Sequence, residues 1–296
     1  MPCKGRTACK QTVPDPILDR IAAQAFSDAG LQVWRTALRE TPARTALQNG
    51  VVTLTALSLL GWGLILWSVA NMSSPVVSLM MPMGSAWAVP EIVAVSLMWS
   101  VMMGAMMLPS AIPMLVIHRR LSVDREPGSL GAGYWFLTGY LLAWTAFSLA
   151  AVVLHWGFQR ADVLSPMVKL QDAFVSGAIL IAAGVYQLTP LKAVSLNHCR
   201  TPETACQADW RSGRLGALRM GLDRGLCCIG CCWALMLVLF VGGVMSLTTI
   251  AVLTLVVAVE KLAPRGVLLA KLGCVPLVVW GVWLIAGAMD VAPAFS

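Results

Sequence analysis

The sequence predicts an all-α, polytopic helical membrane protein. It should have about seven transmembrane helices, a cytoplasmic N-terminus and a C-terminus outside. Three observations predict this. Of 296 residues, 58% are hydrophobic and only 12% are charged, with a mean hydropathy of +0.77; a soluble domain is nearer a quarter charged. The apolar residues form continuous runs of helical span length, not the alternating pattern of a membrane barrel. Lys and Arg lie overwhelmingly between those runs on one side. This composition argues against a soluble enzyme and against a disordered chain. The net charge of +7 reflects the placement of topology-setting residues, so no nucleic-acid role is assigned.

Residues 1–48 are read as a polar cytoplasmic segment carrying Lys4, Arg6, Lys10, Arg20, Arg35, Arg39 and Arg44. They lack a short apolar core followed by a small-residue cleavage site, so no signal peptide is expected. Residues 16–40 carry an apolar side (Ile17, Leu18, Ile21, Phe26, Leu31, Val33, Trp34) that suits a helix lying on the membrane surface.

The transmembrane domain is read as 49–290. Its spans are expected near 50–70, 92–116, 134–157, 172–191, 229–246, 248–263 and 267–288, with a tight turn around Ser246. A cytoplasmic, Cys-containing loop is expected over 192–226. Nineteen of the 21 Lys and Arg residues then fall on one side, and only Arg160 and Lys169 on the other. The positive-inside rule makes the nineteen cytoplasmic. Trp87, Tyr134, Trp135 and Trp156 read as an interfacial aromatic belt.

Two constellations carry chemistry. Cys227, Cys228, Cys231 and Cys232 form a C-C-I-G-C-C run at the start of the fifth span. Residues four apart stack on one helix face, so Cys227 aligns with Cys231 and Cys228 with Cys232. The four thiols cover an arc of roughly 140°. Cys199 and Cys206 precede them in the loop, and His198 adjoins Cys199. Thiolates are soft ligands that select Cu(I), zinc or iron–sulfur clusters, and the reducing cytoplasm favours metal binding over disulfides. The plain alternative is that the small cysteines serve close helix packing. Cys3, Cys9 and Cys274 read as ordinary residues.

The second constellation is in the second span, where Met98, Met102 and Met106, then Met103 and Met107, repeat at helical spacing before Met114. Thioether sulfur suits Cu(I), and Met103, Met107 and Met114 would line an approach to the thiols. Methionine also simply fills gaps in cores. Met80, Met81 and Met83 lie just before the outer end of that span. Pro109 and Pro113 bend the span near the depth of the cysteines. His118 ends it, while His155 lies at the opposite end of the bundle. Glu260 and Lys261 close the sixth span and read as an interfacial anchor. No P-loop, G-x-S-x-G or Rossmann pattern is present.

W-S-V-M-M-G-A-M-M-L-P (99–109), Y-Q-L-T-P-L-K (186–192), H-C-R-T-P (198–202), G-L-C-C-I-G-C-C-W-A-L-M (225–236), G-G-V-M (242–245) and V-E-K (259–261) together resemble the DUF2182 family. These are bacterial integral membrane proteins described as metal-binding and sometimes labelled copper chaperones. The resemblance spans roughly residues 50 to 290. It implies a metal role for Cys199, Cys227, Cys228, Cys231, Cys232 and the second-span methionines. This chain has Ser195 where the family pattern has a further cysteine, which replaces one thiolate by a weaker ligand.

The combined reading is a membrane metal-binding protein that holds or delivers Cu(I), with zinc as the other thiophilic candidate. Its expected partners are the lipid bilayer, the metal ion, and a metalloenzyme or soluble metal carrier. The reading is not that of an enzyme. The alternatives are a membrane thiol–disulfide oxidoreductase, against which stands the absence of Cys in the outer loops, and a scaffold or assembly subunit whose cysteines pack.

Overall fold

A computed structural model describes residues 41–82, 84, 86–125, 131–165, 168–201, 206 and 209–291. The surface helix expected over 16–40, Cys3, Cys9 and Met83 lie outside the described residues. Nine helices form the described chain: α1 (Thr41–Ala70), α2 (Pro75–Met80), α3 (Val89–Arg125), α4 (Ala132–Arg160), α5 (Ala173–Gln187), α6 (Pro190–Arg200), α7 (Gly213–Gly242), α8 (Leu247–Leu262) and α9 (Gly266–Val291). The only β pairing among the described residues is an isolated bridge between Leu164 and Leu170.

Five helices, α1, α3, α4, α7 and α9, are long and apolar enough to cross a membrane, and the α5–α6 pair makes a sixth if its bent halves count as one span. Helix α8 has 16 residues, about 24 Å at the helical rise, and falls short of a ~30 Å hydrocarbon layer. The outer surface carries large exposed apolar side chains, among them Leu59, Val153, Leu255, Val279 and Trp283. Such a surface belongs against lipid tails.

Several boundaries differ from the sequence expectation: α3 runs to Arg125, nine residues past 116, and the span expected over 172–191 breaks after Gln187 into α5 and α6. Helix α7 begins at Gly213, 16 residues before the expected start at 229. Arg214, Arg219, Asp223 and Arg224 dilute the hydropathy there, yet Ala217, Met220, Gly221, Arg224 and Cys228 follow helical spacing and are buried. The cysteines therefore sit at mid-helix. The expected 192–226 loop likewise contains most of α6 and the first turns of α7.

Helix α7 is the central element: 67% of its apolar window is buried, against 11% for peripheral α9. It lies tightly along α4 because glycines face backbone on both sides. A Cβ on Gly139 would collide with the Leu218 carbonyl, and one on Gly221 with the Phe136 carbonyl; one on Gly225 would come within 2.5 Å of the Ala143 Cβ. In membranes, where burial against lipid gives little drive, such small-residue seams let helices associate. Gly221→Val is expected to cost about 1–3 kcal/mol by overpacking. The check is the thermal midpoint in detergent, which should fall, whereas valine at the open Gly157 should leave it in place.

The break between α5 and α6 comes from Thr189 and Pro190. The Thr189 hydroxyl accepts from the Lys192 N–H and Pro190 occupies the first turn of the new helix, where a missing N–H does no harm. The axis turns by 64°. This turn lays α6 across α7, with Ser195 against Gly230: a Cβ there would lie 3.0 Å from the Ser195 Oγ. The Tyr186 hydroxyl donates to the Gly230 carbonyl and clamps the same crossing.

Candidate metal centre

The α4–α7 seam and the α6–α7 crossing set the site. Along α4, Tyr140 follows Gly139, and its hydroxyl lies 3.1 Å from the Cys228 Sγ. Along α6, Cys199 is one turn beyond Ser195, and its Sγ is 3.9 Å from the Cys231 Sγ. From α3, Met107 brings its Sδ to 4.0 Å from the Cys232 Sγ. The thiols of Cys231 and Cys232 both donate to the Cys228 carbonyl at 3.0 Å, which fixes their rotamers on one side of α7. Cys228, Cys231, Cys232 and Met107 are buried, and Cys199 is half-buried. Five sulfur atoms from three helices thus occupy one region of the core.

Helix α8 contributes a cation. The Lys261 Nζ lies 2.9 Å from the Cys228 Sγ, 3.1 Å from the Ser110 Oγ and 3.8 Å from the Met107 Sδ. Its neighbour Glu260 turns elsewhere: the Lys192 Nζ donates to its Oε2 at 2.7 Å and the Gln187 Nε2 to its Oε1 at 3.1 Å. Both residues are buried, which corrects the expectation of an interfacial anchor. At the end of α8 Val259 and Leu262 are exposed while Glu260 and Lys261 between them are buried, so each charged member needs an internal partner. Tyr140 and Ser110 are not singled out by the sequence. The signal for a buried Glu260–Lys261 pair is its place at the end of an apolar helix of only 16 residues; nothing local marks Tyr140 and Ser110.

The remaining candidates fall into distinct places. Cys227 is buried on the same turn of α7 as Cys228. Met103 is fully buried one turn before Met107 on α3, with Met98, Met102 and Met106 in the same core. His198 has its Nδ1 at 2.9 Å from the Val194 carbonyl of its own helix, and no hydrogen bond among the described residues joins it to the thiols. Cys206 and Met114 make a separate pair, the thiol donating to the Met114 Sδ at 3.4 Å, in a second core with Leu108 and Phe136. His118 is buried there too, stacked between Phe136 and Trp210. His155 lies at the other end of the bundle, accepting from the Trp99 Nε1 at 3.4 Å. Among the described residues no three His, Cys, Asp or Glu side chains are grouped so as to hold a metal ion by themselves. The convergence here is of sulfur pairs, with Met107 as a donor of a different kind.

Burial pushes the Cys206 thiol up to about 11, with nearby Arg224 acting in the opposite direction. Cys206 therefore stays a protonated, inert thiol at neutral pH. In the folded protein at pH 8, maleimide labelling of Cys206 is expected to be at least tenfold slower than after denaturation, as followed by mass spectrometry.

No curated protein and no solved structure matches the chain. One family model does match, over residues 96–284, and it is described as PpoB2, copper chaperone. The match takes in the α3 methionines, the α4–α7 seam, Cys199, the α7 cysteines and the Glu260–Lys261 pair. It covers well over half of the sequence, and the chain belongs to this copper chaperone family.

Proposed function

We propose that the protein holds Cu(I) within the membrane at the sulfur cluster of Cys199, Cys228, Cys231, Cys232 and Met107, for delivery to a metalloenzyme or a soluble carrier. The observation that carries this reading is the convergence of soft donors from α3, α6 and α7 on one buried region. Cu(I) is a soft ion that favours thiolate and thioether sulfur, and it accepts few ligands, so neighbouring sulfur pairs are enough to hold it. Cys227, beside Cys228, and Met103, one turn along α3, belong to the surroundings through which the ion approaches. Cys206, Met114 and His198 are placed outside the holding site.

The topology proposed with this reading keeps the N-terminus in the cytoplasm of a bacterial inner-membrane protein, with α8 as a short seventh span. The nineteen-to-two distribution of Lys and Arg supports that orientation. The ordered motifs of the DUF2182 resemblance agree with the same metal role.

The test is elemental analysis of protein purified anaerobically with a thiol reductant, beside a variant with Cys228, Cys231 and Cys232 all changed to Ser. Copper in the first and none in the second is the expected result. Equal copper in both would defeat the reading, and zinc or iron in place of copper would overturn the choice of cargo.

A further inference from the structure

We propose that Lys261 makes the cluster selective for monovalent thiophilic ions, rejecting divalent ions that favour the same sulfur ligands. The inference rests on the sulfur-cluster reading above and deepens it by naming the charge class of the cargo.

The Lys261 amine is buried and faces the sulfur atoms of Cys228 and Met107 at 2.9 and 3.8 Å. No carboxylate among the described residues is within ion-pair distance of it; the one carboxylate nearby in sequence, Glu260, is held by Lys192 at 2.7 Å. Its other partner, the Ser110 hydroxyl, is neutral, and the Tyr140 hydroxyl contacts the Cys228 Sγ on its own account. A buried ammonium is tolerated only beside negative charge, and here that charge comes from the sulfur site. The lysine is therefore a standing positive charge a few ångströms from any ion that Cys228 and Met107 hold.

Charge counting then separates the cargoes. Two thiolates with Cu(I) or Ag(I) carry a net charge of −1, which one ammonium neutralises. The same two thiolates with Zn(II) or Cd(II) are neutral, so the ammonium leaves a buried net charge of +1. Whatever the number of thiolates, the divalent ion places one more positive charge beside Lys261 than the monovalent ion does. Across about 4 Å in a partly polar interior, that extra repulsion corresponds to a preference on the order of a hundredfold or more. Sulfur ligands alone do not provide this, because Cd(II) and Zn(II) are themselves thiophilic.

The experiment measures Ag(I), Cu(I) and Cd(II) affinities of the full chain in lipid nanodiscs by chelator competition. The wild-type protein is expected to bind Ag(I) and Cu(I) and to bind Cd(II) at least a hundredfold more weakly, relative to a plain dithiol peptide. Lys261→Met should shrink that ratio by about a hundredfold, lowering monovalent and raising divalent affinity, whereas Lys261→Arg should keep it. If Lys261→Met does not fold, Lys261→Gln serves as the neutral variant. Cd(II) bound by the wild type with no such penalty overturns the proposal without any variant, and so does an unchanged ratio in a folded neutral variant. Failure of the wild type to bind any of the three ions overturns the sulfur-cluster reading itself, an outcome distinct from loss of selectivity alone.

Discussion

Glu260→Gln is expected to destabilise the protein by about 3–5 kcal/mol, read as a large fall in the unfolding midpoint in mild detergent. Glu260 and Lys192 are nearly sealed from solvent, with side chains 4% and 1% exposed and 2.7 Å between charges. Removing the carboxylate charge leaves the buried Lys192 ammonium without the anion that stands 2.7 Å away. The loss is the desolvation of an abandoned charge more than the intrinsic strength of the pair. A double variant, Lys192→Met with Glu260→Gln, should therefore recover much of the lost stability, because no charge is then stranded. A double variant no more stable than Glu260→Gln alone would contradict this account. The same pair decides the direction of Lys261: while Glu260 is held by Lys192 and Gln187, Lys261 has the sulfur cluster as its partner.

Cys228→Ser is expected to weaken Cu(I) binding more than any other single cysteine substitution, by a hundredfold or more. Cys228 is the hub of the site. Its sulfur meets Lys261 and Tyr140, and its carbonyl accepts from the thiols of Cys231 and Cys232. A serine hydroxyl is a harder and weaker ligand than a thiolate, and it offers no anion to the ammonium 2.9 Å away. Cys206→Ser is the matched control. Its sulfur faces Met114 in a different core, so copper stoichiometry and affinity should stay at the wild-type level. Chelator competition on both variants checks the contrast, and equal loss in the two would contradict the separation of the clusters.

The helical membrane class, most of the spans and the chemistry of the donors were legible in the sequence. Apolar runs of span length leave a chain no other way to satisfy its backbone in lipid, and soft sulfur ligands declare themselves by type. The i, i+4 spacing also placed Cys228 above Cys232 correctly, because that relation is internal to one helix. The assembly of the site depended on contacts between helices far apart in sequence. Cys199 reaches Cys231 only because Thr189 and Pro190 start a new helix that turns by 64°. Tyr140 meets Cys228 only because glycines on α4 and α7 allow backbone contact. Cys206 and Met114, near the other candidates along the chain, are drawn into a core of their own. Residue type and local period are enough to show that the helices suit lipid and which side chains carry soft donor atoms. Which of those atoms meet, and that Lys261 stands among them, follows from packing between helices, because a buried charge must find its partner across the bundle and no local pattern records where that partner will be.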